Sequence, residues 1–243
     1  MINLQSVRGV IWDLDGTLYR FDELFKTACN HAAAKAACTM RPSYIYEEAF
    51  AKSVESEQQY GFSLYWFHQE TNIAFEDMHF VYHDAIDETI IARNDMVGKA
   101  LRQLELPSVI LTNSSHGWVS RILKHLNLHD IFGDGKILAL EDVGFEPKSR
   151  STTGFEKAAN ILGLEPSKIL LVEDLPRNLI KAKEAGLQTM LLHHGQIPVE
   201  LEAADYIAHD VLEVLDTLND NRGQNNYSAS LTSSSKRWPP SVS

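Results

Sequence analysis

Cysteine is nearly absent, with two residues, Cys29 and Cys38, in 243. Both fall in one alanine-rich stretch that reads as a helix, where nine residues of rise separate their backbones by about 13 Å and set them on opposite faces. That is beyond the reach of a disulfide, so no cross-linked framework is expected and a reducing compartment is. Positive charge is also in short supply. Lys and Arg number 22 against 33 Asp and Glu, a formal net charge of −11. A chain that gripped a nucleic acid polymer or an anionic membrane through bulk charge would be basic, so neither partner is expected. No run approaches the roughly 18 consecutive apolar residues of a membrane span. The opening residues Met1 to Ser6 lack the basic region and apolar core of a secretory leader. A cytoplasmic location is the expectation, and no internal repeat is visible.

What is present is ordinary in bulk, 44% hydrophobic and 23% charged, enough for one domain with a sizeable core and a smaller module. The informative stretch comes early. Val7 to Trp12 is a near-continuous apolar run that reads as a strand buried on both faces. It exits into Asp13-Leu14-Asp15-Gly16-Thr17, two carboxylates two positions apart followed by a residue that permits sharp reversal. Taken alone, such a run also fits an aspartate-rich turn closing a hairpin.

From about Phe21 to Ile91 the pattern is helical with no convincing strand. Phe21, Leu24, Phe25, Ala28 and Ala32 line one face, Arg41-Pro42-Ser43 breaks the first helix, and Ser43 is placed to cap a second through about Glu57. The aromatic segment Phe62 to Phe67 precedes a last helix predicted over Phe75 to Ile91. From Asn94 strand and helix alternate. Strands are predicted at Ser108 to Thr112, Lys136 to Leu140, Ile169 to Val172 and Gln188 to Leu192, with a short one at Tyr206-Ile207. Gly163 and Gly186 close helices, Pro176 opens one, and Asp210 with Glu213 forms a candidate capping box. This alternation predicts an α/β fold with a doubly wound parallel sheet. The expected division is a core of residues 1–20 and 94–220, an inserted helical cap over 21–93, and a disordered Asn/Ser/Gly/Pro-rich tail over 221–243.

Polar residues recur at the other strand exits: Thr112-Asn113, Lys148 in the loop after the third strand, and Glu173-Asp174. Each is unremarkable alone, since Thr-Asn is a common turn pair and lysines are usually solvated. In this order, with the Asp13-Leu14-Asp15-Gly16-Thr17 run, the set resembles the four motifs of the haloacid dehalogenase-like superfamily, across residues 6 to about 220. The resemblance implies a sheet of order 5-4-1-2-3 with the Asp13 strand central, and a lid that closes over the carboxylates. It implies Asp13 as nucleophile, Asp15 as acid and base, and Lys148 as the positive partner of both nucleophile and phosphoryl group. Thr112 and the Asn113 amide would donate to phosphoryl oxygens, with Thr17 also at the substrate. Magnesium would be held by Asp13, the Asp15 carbonyl and Asp174, with Glu173 bound directly or through water. The acid at Asp15 points to phosphoryl transfer rather than dehalogenation. Leu175 stands where many relatives have serine, which makes Asn178 the expected polar support.

Substrate choice would belong to the lid. Tyr60-Gly61-Phe62-Ser63-Leu64, Thr112 to His116 and Val172 to Asn178 are similar to the pyrimidine 5′-nucleotidase branch. A nucleoside monophosphate is thus the expected substrate, with Tyr60 and His116 as contacts and Phe62, Tyr65 and Trp66 as a possible face for a base. The bland alternative is that those aromatics, and His68, simply pack the lid. A sugar-phosphate phosphatase, a β-phosphoglucomutase-like mutase and a non-catalytic binding protein are the competing readings. A monomer or homodimer acting on a small phosphorylated metabolite is expected.

Overall fold

The computed structural model describes residues 4–60, 62–133, 135–193, 195 and 202–219, with the backbone alone for Tyr60. The tail predicted over 221–243 lies outside the described residues. Six parallel strands form one sheet: β1 (Gly9–Trp12), β2 (Ser108–Leu111), β3 (Ile137–Leu138), β4 (Ile169–Glu173), β5 (Gln188–Leu192) and β6 (Tyr206–Ala208). Their order is β3-β2-β1-β4-β5-β6. This is the expected 5-4-1-2-3 order with one strand more at the β5 edge.

Residue alternation explains why the strands read as continuous apolar runs. Val10 and Trp12 of β1, Leu170 and Val172 of β4, and Met190 and Leu192 of β5 join one hydrophobic cluster. Ile11, Ile169, Leu171 and Leu191 join a second cluster on the opposite face. Both faces are covered, so both sets of alternate positions are mainly apolar; the buried Thr189 of β5 satisfies its hydroxyl on the Ala203 carbonyl at 2.6 Å. Helices α5 (Asp95–Gln103) and α6 (His116–His125) and a helix over 211–219 bury Val97, Leu101, Val119, Ile122 and Val214 in the first cluster. Helices α7 (Thr153–Leu162) and α8 (Pro176–Glu184) bury Phe155, Ala158, Leu179 and Ala182 in the second.

Between β1 and α5 the chain inserts four helices, α1 (Glu23–Met40), α2 (Tyr46–Tyr60), α3 (Tyr65–Thr71) and α4 (Phe75–Asp84). Asp22 caps α1 by accepting from the Phe25 amide at 2.9 Å. Six alanines and Cys29 lie buried or half-buried along it, small enough to let α2 and α4 approach closely. The insertion joins the sheet's first cluster through Phe25, whose ring stacks on Trp118 of α6 at 5.8 Å.

Several predicted boundaries move. β3 keeps two residues where five were expected, because the chain turns at Ala139, whose amide is taken by the Asp142 carboxylate at 2.8 Å. A 3-10 turn over Leu140–Val143 follows. Ser43 stands three residues before α2, which starts at Tyr46, and so lies outside the N-cap position expected for it. The helix expected to reach Ile91 stops at Asp84, and a separate 3-10 turn over Glu88–Ile90 is capped by Asp87. The Asp210–Glu213 box is half formed. Asp210 accepts from the Glu213 amide at 2.9 Å, while the Glu213 carboxylate accepts from the His209 amide at 2.7 Å. Gly163 closes α7 in the left-handed region, and Pro176 opens α8.

Candidate active site

All six strands run the same way, so their C-terminal ends share one edge of the sheet. β1 lies between β2 and β4, where the winding reverses and open α/β sheets form their ligand crevice. Asp13 and Asp15 leave β1 at that point, Thr112 to Ser114 leave β2, and Glu173 ends β4 with Asp174 following. Lys148 comes from the loop beyond β3. Its backbone amide donates to Asn113 Oδ1 at 3.1 Å, which ties that loop to the end of β2.

The deepest part is a buried ion cluster. Lys148 Nζ donates to Asp13 Oδ1 and, at 2.6 Å, to Glu173 Oε2. Glu173 is fully buried, and its other oxygen accepts from the Leu175 amide at 3.1 Å. Asp13, Glu173 and Asp174 each offer an oxygen within 4.8 Å of the others. Three carboxylates face one ammonium, so full ionisation leaves a surplus of two negative charges. The proton affinities register that excess. Burial and the Glu173 charge push Asp13 up to about 7 despite Lys148 beside it. Burial, then Glu173 and Asp13, hold Asp174 well above the usual carboxylate range. Burial alone would lower Lys148, but the charges of Asp13 and Glu173 reverse that and hold it protonated above the ordinary lysine value.

Among the described residues, Asp174 Oδ1 is buried without a hydrogen-bond partner. An all-oxygen donor set, an orphaned carboxylate oxygen and two uncompensated negative charges together fit a hard divalent cation. Gly16 closes the cluster from one side. Its φ is +96°, and a Cβ there would run into the Asp174 carboxylate. Only glycine satisfies both conditions.

Asp15 is held differently, by donors. Oδ1 accepts from the Tyr19 hydroxyl and from Trp118 Nε1 at 2.7 Å. Oδ2 accepts from Ser114 Oγ at 2.7 Å and from Thr112 Oγ1 at 3.3 Å. Ser114 Oγ also lies 3.2 Å from Nε2 of His83, at the end of α4 in the insertion. Of these five, only Thr112 was singled out from the sequence. A tyrosine four residues past Asp15 and a serine two past Thr112 carry no distinctive spacing signal. Trp118 and His83 come from helices whose docking no local pattern reveals.

The other predicted residues are placed as follows. Thr17 is buried, with its hydroxyl unpartnered among the described residues. Asn178 is buried, and neither side-chain amide atom has a partner among the described residues. The His116 ring is exposed and pairs with Asp142 at 2.6 Å, while its amide donates to Glu141 at 2.8 Å. Tyr60 ends α2, and its side chain lies outside the described residues. The aromatic segment is largely internal packing. Trp66 packs against Tyr44 and Phe67 and donates to Ser53 at 3.1 Å, and Phe62 meets Phe75 and Tyr82. His68 bonds the Ile73 carbonyl at 2.8 Å.

Comparison with known proteins agrees with this geometry. The family model described as haloacid dehalogenase-like hydrolase matches residues 7–186. PpaX of Clostridium perfringens, a protein carried under a pyrophosphatase name, is 24% identical over 221 residues, 86% of this chain and 96% of that protein. A phosphoglycolate phosphatase of Neisseria gonorrhoeae is 34% identical over 105 residues, 43% of each chain. Among solved structures, a family IA hydrolase from Entamoeba histolytica superposes with a TM-score of 0.63 at 20% identity, covering 88% of this chain and 99% of that one. A family hydrolase from Deinococcus radiodurans, solved with bound phosphate and sodium, gives 0.57 at 17% identity, covering 90% and 97%. With the strand order, the four strand-exit motifs and a family model that spans most of its length, the chain belongs to the haloacid dehalogenase-like hydrolases.

Proposed function

We propose that this hydrolase is a magnesium-dependent phosphomonoesterase, acting through an aspartyl-phosphate on Asp13 and taking a pyrimidine nucleoside 5′-monophosphate as substrate. The observation that carries the reaction class is the buried Lys148 shared by Asp13 and Glu173, with Asp15 one turn of loop away and held by four donors. Bound Mg²⁺, held by Asp13, the Asp15 carbonyl and Asp174 beside Glu173, would supply the positive charge that lets an anionic nucleophile meet a phosphate dianion.

The chain's own residues do the rest. Lys148 keeps the Asp13 carboxylate aimed and partly neutralised. An Asp13 oxygen attacks phosphorus as the bond to the leaving oxygen breaks, and Asp15 gives that oxygen a proton. Asp15 then takes a proton from the water that attacks the aspartyl-phosphate, which frees inorganic phosphate and restores Asp13. Thr112, the Asn113 amide and Thr17 are assigned to the phosphoryl oxygens. Thr17 has a buried hydroxyl without a protein partner, as a substrate contact would. The nucleotide part of the proposal rests on the Tyr60 to Leu64 and Thr112 to His116 segments, with Tyr60 and His116 at the leaving group.

The test is a phosphate-release panel with MgCl₂: uridine and cytidine 5′-monophosphates, 2-phosphoglycolate, pyrophosphate, glucose 1- and 6-phosphates and p-nitrophenyl phosphate. Wild type is expected to release phosphate fastest from the pyrimidine nucleotides, and Asp13→Asn to lower every rate about a thousandfold or more. A wild-type protein inert on the whole panel overturns the enzyme reading. Faster turnover of 2-phosphoglycolate overturns the nucleotide assignment alone. Conversion of glucose 1-phosphate to the 6-phosphate without phosphate release would make the protein a mutase.

A further inference from the structure

An ionised carboxylate has about four lone-pair positions for donors. At Asp15 all four are taken, two by Tyr19 and Trp118 on Oδ1 and two by Ser114 and Thr112 on Oδ2. Before it can hand a proton to a leaving oxygen, Asp15 must carry one, the proton taken from the attacking water in the preceding turnover, and a protonated carboxyl has room for only about three donors. One contact has to yield, and what makes it yield is a property of this chain.

Ser114 is the contact with somewhere else to go. Its hydroxyl has one hydrogen and two neighbours able to accept it, Asp15 Oδ2 at 2.7 Å and His83 Nε2 at 3.2 Å. The role of His83 follows from its other ring nitrogen. Nδ1 sits 2.7 Å from the His79 carbonyl, which can only accept, so Nδ1 carries the hydrogen. The ring is buried and neutral, which leaves Nε2 a bare acceptor. When Ser114 turns its hydrogen to His83, Asp15 Oδ2 gives up that bond and can carry the proton instead, and the Ser114 hydrogen keeps an acceptor. Without His83 the released hydroxyl would point at nothing, at a cost of about 1–3 kcal/mol for a buried donor.

His83 stands on the insertion, and α6 fixes its position. Arg121 Nη2 donates to the carbonyls of His83 at 2.8 Å and Ile86 at 3.0 Å, and Nε pairs with Glu88 at 3.1 Å. One turn earlier the same helix carries Trp118, the donor to Asp15 Oδ1. Seating of the insertion on α6 therefore sets whether the second acceptor is within reach of Ser114.

We propose that His83 is a positioning residue for the hydrolytic reaction, serving through Ser114 as the alternate acceptor that releases Asp15 toward the leaving group when the insertion is seated. The inference rests on the assignment of Asp15 as acid and base. It places on the insertion a residue that controls the reaction without touching the substrate.

The experiment compares kcat/KM for the best alkyl phosphate of the panel above with that for p-nitrophenyl phosphate, whose leaving group departs without a proton. Wild-type turnover of both is the prerequisite, and its absence counts against the function rather than against the role of His83. His83→Phe is expected to lower kcat/KM for the alkyl ester by roughly tenfold, part of the 10²–10⁴ that a general acid contributes. The fall should lie in kcat, with KM little changed and p-nitrophenyl phosphate within about threefold of wild type. His83→Gln, which keeps an acceptor, should recover most of the loss and serves if the Phe variant does not fold. In a Ser114→Ala background the His83→Phe change should have no further effect, because the group it acts through is gone. Equal losses on both esters, or effects of His83→Phe and Ser114→Ala that multiply independently, would overturn the proposal.

Discussion

A methyl group at Gly16 would decide whether Asp174 can keep its place. The left-handed φ of +96° already disfavours any side chain, and the added Cβ would collide with the carboxylate. Gly16→Ala is therefore expected to cost about 1–3 kcal/mol in urea unfolding and to lower kcat/KM at least tenfold (an order of magnitude for displacing a carboxylate of the candidate site). Gly163→Ala is the control. It shares a left-handed φ, +63°, but has open space around it at the end of α7, so only about 1 kcal/mol of stability should be lost and activity kept. His83 gives a second expectation at this scale. Burial, then the charges of His79 and Arg121, push it from 6.5 to about 3. Between those values the unfolded chain binds a proton that the folded one refuses. The folded pKa is depressed, so stability falls as pH drops through this window, by up to about 1.4 kcal/mol per pH unit. From pH 7 to 4.5, wild type should lose about 2–3 kcal/mol more than His83→Gln. Equal losses in urea titrations at the two pH values would show that His83 titrates normally.

At the level of elements, α6 does three jobs with residues spaced along one helix. Ser115 caps it, accepting from the Trp118 amide at 3.3 Å. Trp118 donates to Asp15 Oδ1, and Arg121 grips the end of α4. Hydrophobic periodicity shows that Val119, Ile122 and Leu123 face the sheet, but it says nothing about what the remaining face meets. Arg121→Ala should cost about 1–3 kcal/mol by taking the donor from the Ile86 carbonyl and the ion-pair partner from Glu88, while the His83 carbonyl keeps the Ile86 amide at 3.3 Å. Its more specific signature is faster amide hydrogen exchange over residues 75–91, with α7 and α8 on the far face unaffected. Uniform acceleration across the chain would mean that Arg121 supports the whole fold rather than the docking of α4.

For the whole molecule, the cation proposed for the buried surplus of negative charge predicts a stability that depends on magnesium. Magnesium that binds the folded protein alone should raise its stability by about 2.7 kcal/mol at a hundred times its dissociation constant. Asp174→Asn should move two quantities in opposite directions. It removes a carboxylate that burial and its neighbours disfavour, so the metal-free variant should melt at a higher temperature than metal-free wild type. It should also lose most of the rise that magnesium produces. A variant less stable without metal, or one stabilised as much as wild type with it, would take Asp174 out of the cation site.

Much of the architecture was legible because it rests on patterns that are local or periodic. Strands buried on both faces are apolar for most of their length, so β1, β4 and the Met190 to Leu192 part of β5 announced themselves. Parallel strands must exit on the same side, so four polar motifs in chain order sufficed to gather Asp13, Lys148, Glu173 and Asp174. β3 was overestimated because its apolar residues continue into a turn made by a side-chain bond from Asp142, which hydropathy does not encode. The surroundings of Asp15 were illegible for a different reason. Tyr19 is near in sequence, but Trp118 and His83 reach Asp15 and Ser114 only through the way α6 and α4 pack, and packing is a property of the assembled faces. The sequence by itself determined the sheet, its motif edge and the charges gathered there. The tertiary structure alone decided that Asp15 is enclosed by donors and linked through Ser114 to the helical insertion, because those contacts form between surfaces that meet only after the chain has folded.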